Sequence, residues 1–327
     1  MNPFKRALTG AAASVLAVTV LAACGGGSGD GGDGDSRKIS LGVFPNSILS
    51  LPTAVAMGED FFGEEGLEVE RVDAKTGPEL IAGMIGGTTQ IAGASTGTAF
   101  PAMKEGQDLK ILPPFQGETK LVIATEKSGI TELADLEGKT LAVPARGGDA
   151  ETYVVQIMEE KGLDPSKITF LAAGGPPTLA AAMANGKADA AVGTTSSAEL
   201  LEETGTEIEV LASPHDDTAG DRGEQGLSAF YATTADYYEK NADTVDSFCR
   251  AMVHTMEFMA DEANKDTVVD YLAEWVGLSP EAAERVYELE RDGWFTELEE
   301  SRWQANAGYA GAPDVGFDHV VTGCGQN

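Results

Sequence analysis

The sequence predicts an α/β fold of two lobes, each a mostly parallel sheet flanked by helices. Three observations point there. From Lys38 onward, short β-like runs alternate with amphipathic helical stretches, the rhythm of parallel strands returned by helices. Forty glycines, aperiodically placed, supply the many turns that rhythm needs. A chain of 327 residues, 42% of them hydrophobic, also suffices for two packed bodies at roughly 100 to 200 residues per domain.

The elements follow in order. Residues 39–44 read as the first strand, and Pro45-Asn46-Ser47 breaks it. Residues 51–62 read as a helix, with Leu51, Ala54, Val55, Gly58, Phe61 and Phe62 near helical spacing. A strand at 67–72 precedes a helix whose first turn suits Pro78 and which reaches 85. A strand at 90–94, a helix at 96–104 and strands at 109–115 and 120–125 continue the pattern. A second lobe then takes the strand 140–143, helix 150–161, strand 168–172, helix 177–185, strand 188–192, helix 197–203 and strand 208–211. After Pro214 come one strand, 228–232, and mostly helices to about 304. The lobes are therefore expected at 38–120 plus 214–327, and at 121–213.

The N-terminal residues stand apart from this pattern. Lys5 and Arg6 precede an apolar run, 11–23, too short to span a bilayer as a mature helix, which marks an export signal. Leu21-Ala22-Ala23-Cys24 resembles the bacterial lipobox. That likeness implies a signal peptide at 1–23, lipidation of Cys24, and anchoring to the outer face of the cytoplasmic membrane. Residues 25–36 contain only Gly, Ser and Asp, so 24–37 reads as a flexible tether with a reach of about 20 Å.

Charge excludes one class of partner. Lys and Arg number 22 against 53 Asp and Glu, a formal net of -31, which rules against neutralising nucleic-acid phosphates. Residues 199–300 hold 27 acids and 6 bases, a net of 6 - 27 = -21, expected on solvated outer helix faces. The three histidines, His215, His254 and His319, are too dispersed for a His-rich metal site, and no cofactor is expected. Gly138-Lys139-Thr140 ends like a P-loop, but position 133 is Leu133 where that motif needs glycine.

Several segments carry a likeness to a known family. They are Leu51-Pro52 to Phe62 followed by Glu65-Gly66-Leu67-Glu68-Val69-Glu70; Leu133-Ala134-Asp135-Leu136-Glu137-Gly138-Lys139-Thr140-Leu141-Ala142-Val143-Pro144; Lys161-Gly162-Leu163-Asp164-Pro165; and Asn185-Gly186-Lys187-Ala188-Asp189-Ala190. In order and spacing they resemble the type II periplasmic binding proteins of the nitrate, sulfonate, taurine and thiamine-precursor group, which serve ABC importers. The resemblance implies two lobes joined by two crossover strands, a ligand between them, and no catalysis. It also implies a monomer whose partners are a small molecule, an ABC permease and its ATPase. Two segments depart from the family pattern: Gln90 stands in the 87–93 segment where an acid is usual, and Gly193-Thr194-Thr195-Ser196-Ser197 stands where many members place a bulky aromatic.

Ligands of open α/β sheets sit beyond the carboxyl ends of the strands. Four loops there are candidates: Asn46-Ser47; Ser95-Thr96 at a helix start; Arg146-Gly147-Gly148-Asp149, with paired glycines, a cation and Asp149 as an N-cap; and Thr194-Thr195-Ser196 at another helix start. Phe115 and Gln116 can add a ring and an amide near the crossing. This inventory suits a small polar or singly anionic solute of the sulfonate, taurine-like, nitrate-like or pyrimidine class, with at most Arg146 as a fixed cation. An amine becomes the alternative if Asp149 and Glu151 face the cleft.

Two other readings compete. Gly93-Ala94-Ser95-Thr96-Gly97 fits the nucleophile pattern of a hydrolase, which would need a histidine beside Ser95. A surface ectodomain unrelated to transport is the other. In an exported setting Cys249 and Cys324 are expected to form one disulfide; the alternative makes Cys249 a buried small residue among Phe248, Met252, Met256 and Met259. Trp275, Trp294 and Trp303 read as packing residues.

Overall fold

The computed structural model describes residues 37–325, so the expected signal segment, Cys24 and the tether up to 36 lie outside the described residues. Eleven strands are present among them: β1 (Arg37–Val43), β2 (Leu67–Asp73), β3 (Ile91–Ala94), β4 (Leu109–Gly117), β5 (Lys120–Thr125), β6 (Thr140–Val143), β7 (Thr169–Ala172), β8 (Ala190–Thr194), β9 (Ile208–Ala212), β10 (Leu227–Thr234) and β11 (Trp294–Phe295). They form two sheets, one ordered β11-β4-β10-β3-β1-β2 and the other β7-β6-β8-β5-β9. Each sheet is the centre of one lobe.

Both sheets are mixed, and topology explains why. In the first, β1 pairs in parallel with β2 and β3; in the second, β6 pairs in parallel with β7 and β8. The antiparallel partners are β10, between β3 and β4, and β5, between β8 and β9. These two strands arrive from the other lobe, through residues 118–119 and 213–226. A strand entering from the side toward which its neighbours point must run against them. The short β11 also runs against β4, and returning helices enforce the parallel pairing of β1 with β2 and β3 and of β6 with β7 and β8.

Apolar residues cover both faces of each sheet. Ile39, Leu41 and Val43 of β1 pack with Phe248 and Met252 of the helix Ala242–Ala260, while Phe100 and Trp303 fill the opposite face of the first lobe. The Trp303 ring lies 4.3 Å from that of Phe100, and its N–H donates to the carbonyls of Val315 and Gly316. Gly42 allows the helix Gly77–Ile85 to press on β1, since a Cβ there would meet Leu80 at 2.9 Å. In the second lobe, Leu141, Val143, Tyr153 and Ile157 form one core layer, and Leu121, Ile123 and Leu179 the other.

The expected helix 51–62 divides into Leu51–Gly58 and Phe61–Glu64, because Asp60 takes a left-handed φ of 61° between them. The two-residue β11 is too short to announce itself by alternation. Cys249 and Cys324 are linked, with Cα atoms 5.4 Å apart. Trp275 is half-buried against the core of the first lobe, as expected, and donates to the Ser47 carbonyl under the Arg71 guanidinium.

One buried hydrogen bond gives a direct check of this packing. Tyr231 on β10 and Thr53 share a hydroxyl contact of 2.6 Å. Tyr231→Phe is expected to cost about 1–2 kcal/mol in denaturant unfolding, because the Thr53 hydroxyl is left buried without its partner.

Candidate ligand cleft

The carboxyl ends of six strands, β1, β2 and β3 in one lobe and β6, β7 and β8 in the other, face a common cavity of about 610 Å³. Local sequence shapes each wall. After β1, Asn46 adopts a left-handed φ of 56°, which asparagine tolerates, and brings Ser47 to the rim. After β2, Thr76 caps the helix Gly77–Ile85 by accepting from the Glu79 N–H. Ser95 closes β3 and starts the helix Thr96–Lys104, its own N–H donating to Thr98 Oγ1 at 3.1 Å.

The second lobe repeats the device. Gly148 precedes the helix Asp149–Glu160, Gly175 precedes Pro176–Ala184, and Thr194 precedes Thr195–Glu203. Five helix N-termini from two lobes therefore border one cavity. The helix at Pro176 opens with two prolines, which have no N–H, and contributes its dipole alone, while the Glu79 and Gly97 N–H groups are taken by Thr76 and Asp149. The first-turn N–H groups that remain, with the partial positive charge of each helix dipole, favour an anion in the cavity. Phe44, Leu49, Ala145, Ala173, Pro177 and Val192 supply apolar wall.

The floor is a buried ionic quartet at the two crossings. Glu118 lies on the first crossing, Arg222 on the second, Lys120 opens β5, and Asp149 starts a second-lobe helix. Their side chains are 0%, 1%, 8% and 7% exposed, respectively. Lys120 Nζ lies 2.6 Å from Glu118 Oε1 and 2.7 Å from Asp149 Oδ2. Arg222 reaches Glu118 at 3.1 Å and Asp149 at 3.0 Å. Ser228 donates to Glu118 and accepts from Lys120. Burial alone would raise the Glu118 carboxyl, but the neighbouring charges of Lys120 and Arg222 outweigh it and hold it at about 2, against an ordinary 4.5.

Asp149 also joins the lobes. Its Oδ1 accepts the Gly97 N–H at 2.9 Å, and a Cβ on Gly97 would meet the Asp149 Cα at 2.4 Å. Asp149 is thus not the N-cap expected from sequence. Gly148 holds that position, and the carboxylate turns to Gly97, Lys120 and Arg222 instead.

Six of the residues expected to bind ligand line the cavity: Asn46, Ser47, Ser95, Gly148, Asp149 and Thr194. The others lie off it. Thr96 donates to the Leu227 carbonyl and to Asn306, anchoring its helix on β10 and the C-terminal helix Glu300–Tyr309. Phe115 stacks on Phe295 in the core, and Gln116 is fully buried in β4. Arg146 forms a two-point ion pair with Glu151, which also accepts the Gly147 N–H. Thr195 donates to Glu290 across the lobes, and Ser196 bonds Thr194.

Sequence reasoning passed over Lys75, Lys120, Ser228 and the Gly174-Gly175-Pro176-Pro177 turn, all of which line the cavity. The turn follows β7 and could have been found by the same strand-end rule. The two residues at the crossings carry no local signal.

The hydrolase geometry is not assembled. Ser95 Oγ sits 3.1 Å from Thr98 Oγ1, while His215 faces Glu290, His254 faces Glu64, and His319 bonds the Leu109 carbonyl. Among the described residues no group of three or more His, Cys, Asp or Glu is placed to hold a metal ion.

A family model described as "NMT1/THI5 like" matches residues 49–265. A Bacillus subtilis (strain 168) protein named "Putative aliphatic sulfonates-binding protein" is 26% identical over 180 residues, which cover 54% of this chain and 53% of that relative, about half its length. The alkanesulfonate-binding protein SsuA from Xanthomonas axonopodis pv. citri, solved bound to MOPS, superposes with a TM-score of 0.73 at 19% identity, over 87% of this chain and 98% of that one. The periplasmic aliphatic sulphonate binding protein SsuA from Escherichia coli gives 0.68 at 16% identity, over 84% and 86%. At these identities the structural likeness establishes the fold, a two-lobe periplasmic-binding-protein architecture.

Proposed function

The chain belongs to the NMT1/THI5-like family, and we propose that it is the extracytoplasmic solute-binding component of an ABC importer. It captures a small organic solute between its lobes and releases it to the permease without chemical change. The observation that carries this reading is the convergence of helix N-termini from both lobes on one cavity of about 610 Å³, within the usual range for small-molecule sites. A solute that touches both lobes at once stabilises their closed arrangement over an open one. The relatives named above are binding proteins, and the sulfonates in their names fit an anion head with an apolar body.

A thermal-shift panel of sulfonates, nitrate, carboxylates and pyrimidines tests the reading. One class should stabilise the protein, by about 2.7 kcal/mol at a hundredfold excess over Kd, with the solute recovered intact. No shift with any class, or turnover of an ester abolished by Ser95→Ala, would remove it.

Membrane anchoring through Cys24 is part of the same proposal and rests on Leu21-Ala22-Ala23-Cys24 behind the apolar run. Cys24→Ser is expected to move the protein from the membrane to the soluble fraction on cell fractionation.

A further inference from the structure

Three charged side chains line the cavity: Lys75, Lys120 and Asp149. Lys120 belongs to the quartet, where two cations, Lys120 and Arg222, balance two anions, Glu118 and Asp149. Lys75 is exposed at the rim and forms no ion pair among the described residues. The cavity therefore presents one unbalanced formal charge, and that number depends on Asp149.

Asp149 forms part of the cavity wall, and its carboxylate bridges the lobes just behind that wall. It reaches from the second lobe onto the N-terminus of a nine-residue helix of the first, Thr96–Lys104, and takes the Gly97 N–H. Its Oδ2 is buried against Lys120, an ion pair of 2.7 Å, with no hydrogen bond. Of the donors on this carboxylate, Lys120 also lines the cavity and is the cation that an incoming acid group would use. It is already engaged by a tethered carboxylate.

Resting on the solute-capture reading, we propose that Asp149 sets the charge class of the ligand: it holds the place of a second negative charge, so the cavity accepts a singly charged anion and rejects a dianion. The remaining N-termini, at Thr76 and Thr194, together with Lys75, hold the one acid group. A second negative charge would lie against Asp149 in a water-poor floor, where like charges repel far more strongly than in bulk solvent.

Ethanesulfonate and sulfate share a tetrahedral sulfur head and differ in charge, so calorimetric titration with both, at fixed ionic strength, reads the proposal. Wild type should bind ethanesulfonate at least tenfold more tightly than sulfate. Asp149→Asn keeps an oxygen for the Gly97 N–H and removes the charge. It should narrow that ratio at least tenfold, by gaining sulfate. The double variant Asp149→Asn with Arg222→Met restores a neutral floor and should return the ratio toward wild type; it also serves where the single variant fails to fold. Equal wild-type affinities, an unchanged ratio in a folded Asp149→Asn protein, or a double variant that prefers sulfate would each overturn the assignment. Preference for an uncharged pyrimidine over both anions would also overturn it and leave solute capture standing. No binding by any solute would instead remove solute capture itself.

Discussion

Arg222→Ala is expected to destabilise the protein by about 3–5 kcal/mol, a drop in melting temperature on the order of 10 °C. The variant leaves Glu118 and Asp149 buried with Lys120 as their only cation, because the guanidinium that contacts both is 1% exposed and has no replacement from solvent. The same residues give a pH signature. Glu118 is held at about 2 in the fold, against an ordinary 4.5. A carboxyl whose folded value is depressed contributes stability that is fully present above its unfolded value and is lost as pH falls through the folded one. Wild type should therefore lose stability from this group as pH falls through 4.5 toward 2. Much of that loss should be missing in the variant. Denaturant unfolding at pH 7 and pH 3 measures both effects, and a variant within 1 kcal/mol of the parent at pH 7 would show that the quartet is not structural.

Gly97→Val should weaken solute binding by roughly 5- to 150-fold, with a smaller effect on the stability of either lobe. At this position a Cβ would lie 2.4 Å from the Asp149 Cα, and backbone cannot yield as a flexible side-chain tip can. The lobes must separate locally, and the Gly97 to Asp149 hydrogen bond goes with them. An overpacking penalty of about 1–3 kcal/mol then falls on the closed arrangement alone, and it appears as lost affinity. Small-angle scattering should report a larger radius of gyration for the variant. Unchanged affinity and unchanged dimensions would mean that this contact does not govern closure.

The sequence showed the fold wherever structure is locally encoded. β5 at Lys120–Thr125, β6 at Thr140–Val143 and the helix Thr96–Lys104 have the bounds that hydrophobic pattern and turn residues suggest. The cavity wall was legible in part: Asn46, Ser47, Ser95, Gly148, Asp149 and Thr194 follow strands, and the strand-end rule finds them, while the other expected residues lie off it. The floor was not. Arg222 sits in an acidic stretch, where a lone arginine reads as a solvated surface residue, yet it is the most buried cation of the quartet. Lys120 and Ser228 are far apart in sequence and meet only because both crossings pass through one point. Arg146 shows the converse: beside two glycines it reads as an anion clamp, yet Glu151, five residues on, takes it.

The claim on which the rest depends is that the solute sits between the lobes. Gly175 tests it most directly, because it borders the cavity, has open space where a Cβ would go, and has an ordinary φ of -71°. Gly175→Phe should therefore fold as wild type does and fill the site. Titration calorimetry with the solute selected by the thermal-shift panel should show at least a hundredfold loss of affinity at an unchanged melting temperature. A well-folded variant that binds that solute as tightly as the parent would place the binding site elsewhere and contradict the account.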